Sequence, residues 1–435
     1  MSIGVTFGGG VSSAHRTGDL DPRRGWSFPR YALASDYSII DAAWEKTSPS
    51  EALVQKWLHI VQDEEDGPVF SAEGTDTTDR ILIARVKSAD LGDTAAFKAS
   101  EWNELVTFSA DFSSESFYHP DYGAPLYTGL ADHWHIYAFG YHWIACSLTY
   151  SGRSYGVGLV QFTVDEDGVP TVVQTAAINL DADDWTGDGS DFNPYNPRFA
   201  PNDLHLVADR ITDADGVAQD AIAVVTYSDP VHGSVVFRRK VSDLADGEEV
   251  VLDGDATGYV HDSGGSSIRN ADGTFEMLAP ESMEPDDESV VHRITLSADW
   301  EMTDYEAFLD VADNNLTMAM KAQLPDGSYV LAYKKRFTDA DRDAEGDAEE
   351  DAEGETSPTA RTHVYAPEST LPSDDGLIYV ILYDSDGNAY DGHIVSHRGN
   401  RPHVAYVEGY VLVGWDEPQD SDPPYRALLQ VFQLT

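Results

Sequence analysis

The stretch "RPHVAYVEGYVLVGWDEP" occupies residues 401–418, close to the end of a chain of 435 residues. It reads as proline, a short alternating run, a tight polar turn, a second apolar run, then tryptophan and acid. Alternation over so few residues, punctuated by Gly and Asp, is strand chemistry. The same order opens the chain at 28–46, "FPRYALASDYSIIDAAWEK", and returns at 134–150, "WHIYAFGYHWIACSLTY". A third apolar run follows each: "ALVQKW" at 52–57, "GLVQFT" at 158–163 and "ALLQVF" at 427–432, which align Gln55, Gln161 and Gln430. Each unit therefore reads strand, turn, strand, loop, strand.

Weaker copies fill the middle. "DLHLVADR", "AIAVVTYSD" and "SVVFRRKVS" lie between 203 and 242, a further set spans 266–302, and another spans 315–397. Asp-Gly pairs sit between the runs at Asp167-Gly168, Asp215-Gly216, Asp272-Gly273, Asp326-Gly327 and Asp386-Gly387, and they supply the positive φ that tight hairpins need. Six units result, centred near 45, 150, 220, 280, 350 and 415. A repeat of roughly 70 residues suits a four-stranded antiparallel blade with long loops. The expected fold is all-β, a single β-propeller of six blades, with seven the alternative. The strand-like "SIGVTF" at 2–7 is expected to supply the outer strand of the last blade and so close the ring; this hides an edge and makes the two similar ends neighbouring blades. Residues 66–130 read as an insertion or an extra blade. Residues 338–362, almost wholly acidic in their first part, read as a solvated flexible loop.

The formal charge is −50, from 77 acids against 27 bases, and only eight of the bases are Lys. Hydrophobic residues make up 41% and aromatics 11%, so the charge clothes a folded core. The acids are scattered through every loop, which points to a protein adapted to molar salt, held by K⁺ or Na⁺ at its surface, where the Debye length is about 3 Å. No basic stripe exists to release phosphate counterions, so nucleic acid is not an expected partner. No apolar run approaches a membrane span. The first residues show no hydrophobic signal core, and the Arg23–Arg24 pair leads into "GWSFPRYAL" without an apolar stretch. The single Cys146 excludes an internal disulfide and, within "WIACSL", reads as a small buried hydrophobe.

Aromatic and imidazole rings are densest at 133–143: His133, Trp134, His135, Tyr137, Tyr141, His142 and Trp143. Residues 133, 135 and 137 share one face of a strand. Rings that stack on pyranose faces, beside imidazoles that bond hydroxyls, make this stretch, with Trp185, the candidate glycan contact. Core packing between blades is the competing reading. His133 and His135 are also geometrically able to bind a metal, but spacing fixes no third ligand. Asp181, Asp183 and Asp188 lie in an acidic loop with oxygen ligands at alternate positions, the candidate Ca²⁺ or Mg²⁺ site; no EF-hand pattern is complete. No cofactor is otherwise required. No serine elbow, phosphate loop, zinc helix or dinucleotide fingerprint is present.

The phrase Pro-His-Val-Ala-Tyr followed by Gly-Tyr-Val-Leu-Val-Gly-Trp, residues 402–406 and 409–415, resembles blades of sialidase-like and glycosidase-like β-propellers. The likeness runs through about two-thirds of the chain as a repeat pattern. The sialidase Asp-box, Ser-x-Asp-x-Gly-x-Thr-Trp, is absent, and "NADGTF" at 270–275 departs from it. The resemblance implies the fold and carries over no catalytic residue. The expected function is non-enzymatic recognition of a cell-surface glycan or glycoprotein by a virion surface or tail protein of a halophilic archaeal virus. Such a component would sit among other virion proteins and form homo-oligomers. The alternatives are a glycan-cleaving enzyme and a scaffold propeller in the cytoplasm of a halophile.

Overall fold

In the computed structural model, residues 40–41, 53–75, 80–91, 102–107, 129–150, 153–179, 204–213, 216–226, 235–252, 266–270, 272–280, 291–309, 316–336, 376–387, 389–418 and 425–433 are described. They form strands almost throughout. β1 (Ile40–Asp41) stands apart from the first sheet, which consists of β2 (Leu53–Val61), β3 (Val69–Thr75), β4 (Arg80–Arg85) and β5 (Asn103–Thr107). The second is β6 (Gly129–Ala138), β7 (Tyr141–Tyr150), β8 (Arg153–Val164) and β9 (Pro170–Asn179). The third is β10 (His205–Thr212), β11 (Ala218–Thr226), β12 (Val235–Lys240) and β13 (Asp243–Val251). The fourth is β14 (Ser267–Arg269), β15 (Phe275–Pro280), β16 (Val291–Leu296) and β17 (Met302–Leu309).

The remaining strands are β18 (Leu316–Gln323), β19 (Tyr329–Arg336), β20 (Gly376–Tyr383), β21 (Ala389–Val407), β22 (Tyr410–Pro418) and β23 (Tyr425–Gln433). They hydrogen-bond into one ladder of seven strands with β1. The ladder is two sheets joined by a long strand. Residues 389–399 of β21 pair with β20, and residues 400–407 pair with β22. The fifth sheet thus ends, and the sixth begins, on the same strand. All pairings are antiparallel between chain neighbours, apart from β1, which joins β23 through Ile40↔Leu429 and Asp41↔Leu428.

The six sheets form a six-bladed β-propeller. Inner strands touch in sequence, β2 against β6, β6 against β10 and β10 against β14; β15 then packs on β18, and β18 on β21. β2 packs in turn on β21, β22 and β23. Leu58, Ile60 and Phe70 of the first sheet share one buried cluster with Ala405, Leu412 and Leu429 of the last. At that contact Gly414 leaves room for Leu58: a Cβ there would lie 3.1 Å from its Cδ2. Burying both faces of each sheet explains why the inner strands read as near-continuous apolar runs.

Residues 28–46, expected to open the first unit, contribute Ile40–Asp41 to the last sheet as its fourth strand. The proposed closing strand 2–7 and the acidic segment 338–362 lie outside the described residues. Within 66–130 lie β3, β4, β5 and the start of β6. The glutamine alignment is corrected: Gln161 and Gln430 sit on third strands, β8 and β23, but Gln55 sits on the first strand β2. The five Asp-Gly pairs all fall in hairpins, each glycine at positive φ. They close a four-residue turn, as in Gly168 N–H to Asp165 O at 3.0 Å, with the glycine as the bulge residue after a type I turn. Two-residue turns with positive φ at both positions occur instead at Phe139-Gly140 and Glu408-Gly409.

Candidate functional site

A four-stranded meander puts its first–second and third–fourth connections at one end and its second–third connection at the other. Every inner strand therefore runs toward the end that holds the first–second and third–fourth connections. Four inner strands carry a buried histidine: His59 on β2, His133 on β6, His205 on β10 and His403 on β21. Their rings converge. His59 lies 4.8 Å from His133 and 4.6 Å from His403, centroid to centroid. Trp134 packs among them, 5.1 Å from His59, 4.2 Å from His205 and 6.1 Å from His403.

Local backbone irregularity makes this possible. The β6–β7 ladder shifts register between Ala131 and His133, so the adjacent His133 and Trp134 both reach His59. Comparable shifts fall between Lys56 and His59 and between Asn400 and His403. Bulges of this kind re-aim side chains, and they are over-represented beside functional sites.

Burial disfavours the charged form of three of the four, His59, His205 and His403. It pushes His205 and His403 down to about 3. His59 is lowered by burial first, then by its neighbours His403, His133 and His135. Nδ1 of His59 and Nδ1 of His403 have no hydrogen-bond partner among the described residues. Leaving a buried polar atom unpaired costs about 1–3 kcal/mol, so packing alone does not account for imidazoles here.

A string of hydrogen bonds leads away from the cluster. His133 Nε2 and His135 Nδ1 each lie 3.0 Å from Ser71 Oγ. His135 Nε2 lies 3.0 Å from His142 Nδ1, and His142 Nε2 lies 2.8 Å from Asp63 Oδ2. Arg85 closes the string with Nη1 and Nη2 on the two Asp63 oxygens, at 2.8 and 2.5 Å. Burial pushes Asp63 up, and the bonds from Arg85 and His142 outweigh it, holding the carboxyl well below its usual range. An ionised Asp63 accepts from His142 Nε2–H, which leaves His142 Nδ1 to accept from His135 Nε2–H. Ser71 then donates to His135 Nδ1 and accepts from His133 Nε2–H.

Of the residues singled out in the sequence, His133, Trp134, His135 and His142 are thus brought together, but below the surface: each is at most 7% exposed. Trp143 is fully buried and donates Nε1–H to Ala138 O at 3.0 Å. Tyr137 and Tyr141 are half-buried at the β6–β7 turn. His133 and His135 share Ser71 Oγ between them. Among the described residues no group of three or more His, Cys, Asp or Glu is arranged to hold a metal ion. Trp185, Asp181, Asp183 and Asp188 lie outside the described residues. Sequence reasoning missed His59, His205 and His403. The signal was a histidine followed by an apolar run on three inner strands: "HIV" at 59–61, "HLV" at 205–207 and "HVAY" at 403–406.

No family model matches the chain, and no curated protein matches it. Among solved structures it is similar to the endosialidase of phage phi92, at 10% identity and TM-score 0.48, over 92% of this chain and 70% of that one. It is also similar to a protein of unknown function from Dyadobacter fermentans, at 9% identity and TM-score 0.45, over 92% of this chain and 100% of that one. A third, a GH43 endo-arabinanase from Bacillus licheniformis, is 13% identical with TM-score 0.37, over 67% of this chain and 91% of that one.

Proposed function

We propose that this chain is a recognition propeller that binds a carbohydrate at its axial histidine–tryptophan cluster without cleaving it. The observation that carries the reading is the convergence of three imidazoles disfavoured from charging by burial, those of His59, His205 and His403, on one indole, from the inner strands of four sheets. Neutral imidazoles donate and accept hydrogen bonds to hydroxyls. The indole offers an apolar face to the C–H face of a sugar ring. Trp134 and His403, at 7% and 8% exposure, are the most accessible members, so the ligand approaches from their side.

Glycoside hydrolysis needs two carboxylates, one of them holding a proton near neutral pH. Of the four buried acids among the described residues, Asp63, Glu73, Asp209 and Asp416, three have arginine partners: Asp63 with Arg85, Asp209 with Arg238 and Asp416 with Arg401. This favours binding over cleavage. The formal charge of −50 supports display in brine. We place the protein on the surface of a halophilic virus particle, contacting host glycan or glycoprotein beside other virion proteins and as a homo-oligomer.

The test is binding of purified protein to halophilic archaeal cells in molar salt, with glycan competitors. Saturable, competed binding that falls at least tenfold in Trp134→Ala, with unchanged circular dichroism, is expected. Binding unaffected by that substitution, or release of reducing ends by the wild type, overturns the reading. Co-sedimentation with assembled particles tests the placement.

A further inference from the structure

The third and fourth sheets each carry an arginine on the third strand beside a cross-strand glutamate, and they differ at a place on the inner strand two residues along from that row. In the third sheet the row runs Glu248, Arg238, Ala223, Val207 across the strands. In the fourth it runs Glu306, Arg293, Leu278, with Ser266 accepting from Leu278 N–H at 2.9 Å. Each arginine bonds its cross-strand glutamate. Arg238 also turns inward: its Nε lies 2.6 Å from Oδ2 of Asp209, two residues along the inner strand from Val207. Two residues along from Ser266 stands Ile268, which pairs with Glu276. No acid stands at this place on the inner strand; the nearby Glu276 is bonded to Lys321, and among the described residues Arg293 hydrogen-bonds Glu306 alone.

Asp209 is also capped from the following sheet, by Trp300 Nε1–H at 3.1 Å. Among the described residues no such plug fills the boundary between the fourth and fifth sheets. A cavity of about 280 Å³ opens there, on the hairpin face, lined by Arg293, Asn270, Lys321, Gln323 and Tyr329 and also by the carboxylates Glu276 and Asp386. Its walls are set. Lys321 Nζ is held 2.7 Å from Glu276 Oε1 and 4.6 Å from the centre of the Tyr329 ring. Tyr329 stacks on Tyr383 at 4.9 Å. Burial pushes the Tyr329 phenol up to about 12, helped by Tyr383 and Glu276, so its hydroxyl stays protonated and able to donate.

We propose that this cavity is a second binding site, for the ring of a hexuronate, whose carboxylate takes the place that Asp209 occupies in the third sheet. Arg293 Nε supplies the donor for that carboxylate, and arginine is suited to carboxylates by its forked donors. Asn270, Gln323 and the Tyr329 hydroxyl serve the ring hydroxyls. The volume lies just under the usual span of about 300–1,000 Å³ for ligand pockets, which suits one sugar ring and excludes a chain. Charges partly withdrawn from solvent are screened less than surface pairs, so the site works in molar salt. It is separate from the axial cluster, and its failure would leave the axial reading untouched.

The test is ligand-observed NMR in molar KCl with glucuronate, glucose, acetate and a glucuronate-terminated oligosaccharide. Glucuronate is expected to bind at least tenfold more tightly than glucose or acetate. Arg293→Gln is expected to weaken it at least tenfold. Ile268→Asp restores an internal acid and should abolish binding while leaving circular dichroism and the melting midpoint at or above wild type. Should either variant fail to fold, Tyr329→Phe removes one hydroxyl only and should weaken binding severalfold. Binding of the oligosaccharide alone assigns the uronate to a glycan end, and binding of free glucuronate alone to a small metabolite. Glucose binding as tightly as glucuronate overturns the proposal, as does acetate binding as tightly. So does a folded Ile268→Asp variant with wild-type affinity.

Discussion

His142 Nε2 lies 2.8 Å from Asp63 Oδ2, so a side chain of the second sheet is bonded to a carboxylate that the first sheet holds through Arg85. The third and fourth sheets repeat the device, with Trp300 Nε1 3.1 Å from Asp209 Oδ2 and Arg238 on the same carboxylate. An arginine on a third strand, an acid at the inner strand and an aromatic N–H from the next sheet pin one blade to another. Removing one member of a buried pair leaves the other charge uncompensated and costs about 3–5 kcal/mol. Asp63→Ala should lower unfolding free energy by that amount in molar salt. The double variant Asp63→Leu with Arg85→Leu should lose less than the sum of the single ones. Equal, additive losses in urea titrations would show that the pair is not coupled.

Neutral buried histidines make stability depend on pH. In the unfolded chain they titrate near 6.5, whereas folded His205 and His403 titrate at about 3. Between those values the unfolded state holds protons that the folded state refuses, so stability falls as pH drops from about 6.5 toward 3. The slope is about 1.4 kcal/mol per pH unit for each such histidine. His59, His135 and His142, also lowered by burial, add to it in the same direction. Asp63, held low, contributes stability that is lost only below about 4. Unfolding free energy should be flat above pH 7 and fall steeply by pH 5. His205→Gln together with His403→Gln should shallow that fall; an unchanged acid limb would remove these two from the account.

With a formal charge of −50, self-repulsion is set by ionic strength. The Debye length grows from about 3 Å at 1 M to about 30 Å at 0.01 M salt. Dialysis from molar KCl to dilute buffer should therefore abolish the β circular dichroism signal, and salt should restore it. Full retention of the signal would contradict adaptation to brine.

The strand order and hairpins were legible because they depend on local signals: alternation over 401–418 and Asp-Gly at five turns. The start of the repeat was not. Ile40 looks like part of the first unit, but completes the last, because a strand edge is covered by whichever segment the ring brings to it. At the site, His133, Trp134, His135 and His142 were visible as a dense stretch, and their burial follows from an inner strand being covered on both faces, which is the core-packing reading of that stretch. His59, His205 and His403 are single histidines up to hundreds of residues apart; only the superposed starts of inner strands reveal them. The empty place beside Arg293 needed the register, since Ile268 and Asp209 become comparable only once both rows are aligned.

Two glycines at positive φ separate backbone strain from close contact. Gly409, at φ +91°, sits in the β21–β22 turn, and a Cβ there would meet nothing within 4 Å. Gly67, at φ +85°, lies under the end of β4, and a Cβ there would lie 1.9 Å from Val86 O. Its own carbonyl accepts from Arg85 Nη1 at 3.0 Å. Gly409→Ala should cost about 1–2 kcal/mol, the penalty of a left-handed residue with a Cβ. Gly67→Ala carries the same penalty and must also push the backbone of Val86 aside, which adds about 1–3 kcal/mol and shifts Arg85 from Asp63. Unfolding free energies of the two variants in molar salt measure the difference. Equal losses would show that the chain around Val86 yields freely, and that the Arg85–Asp63 pin does not depend on the turn beneath it.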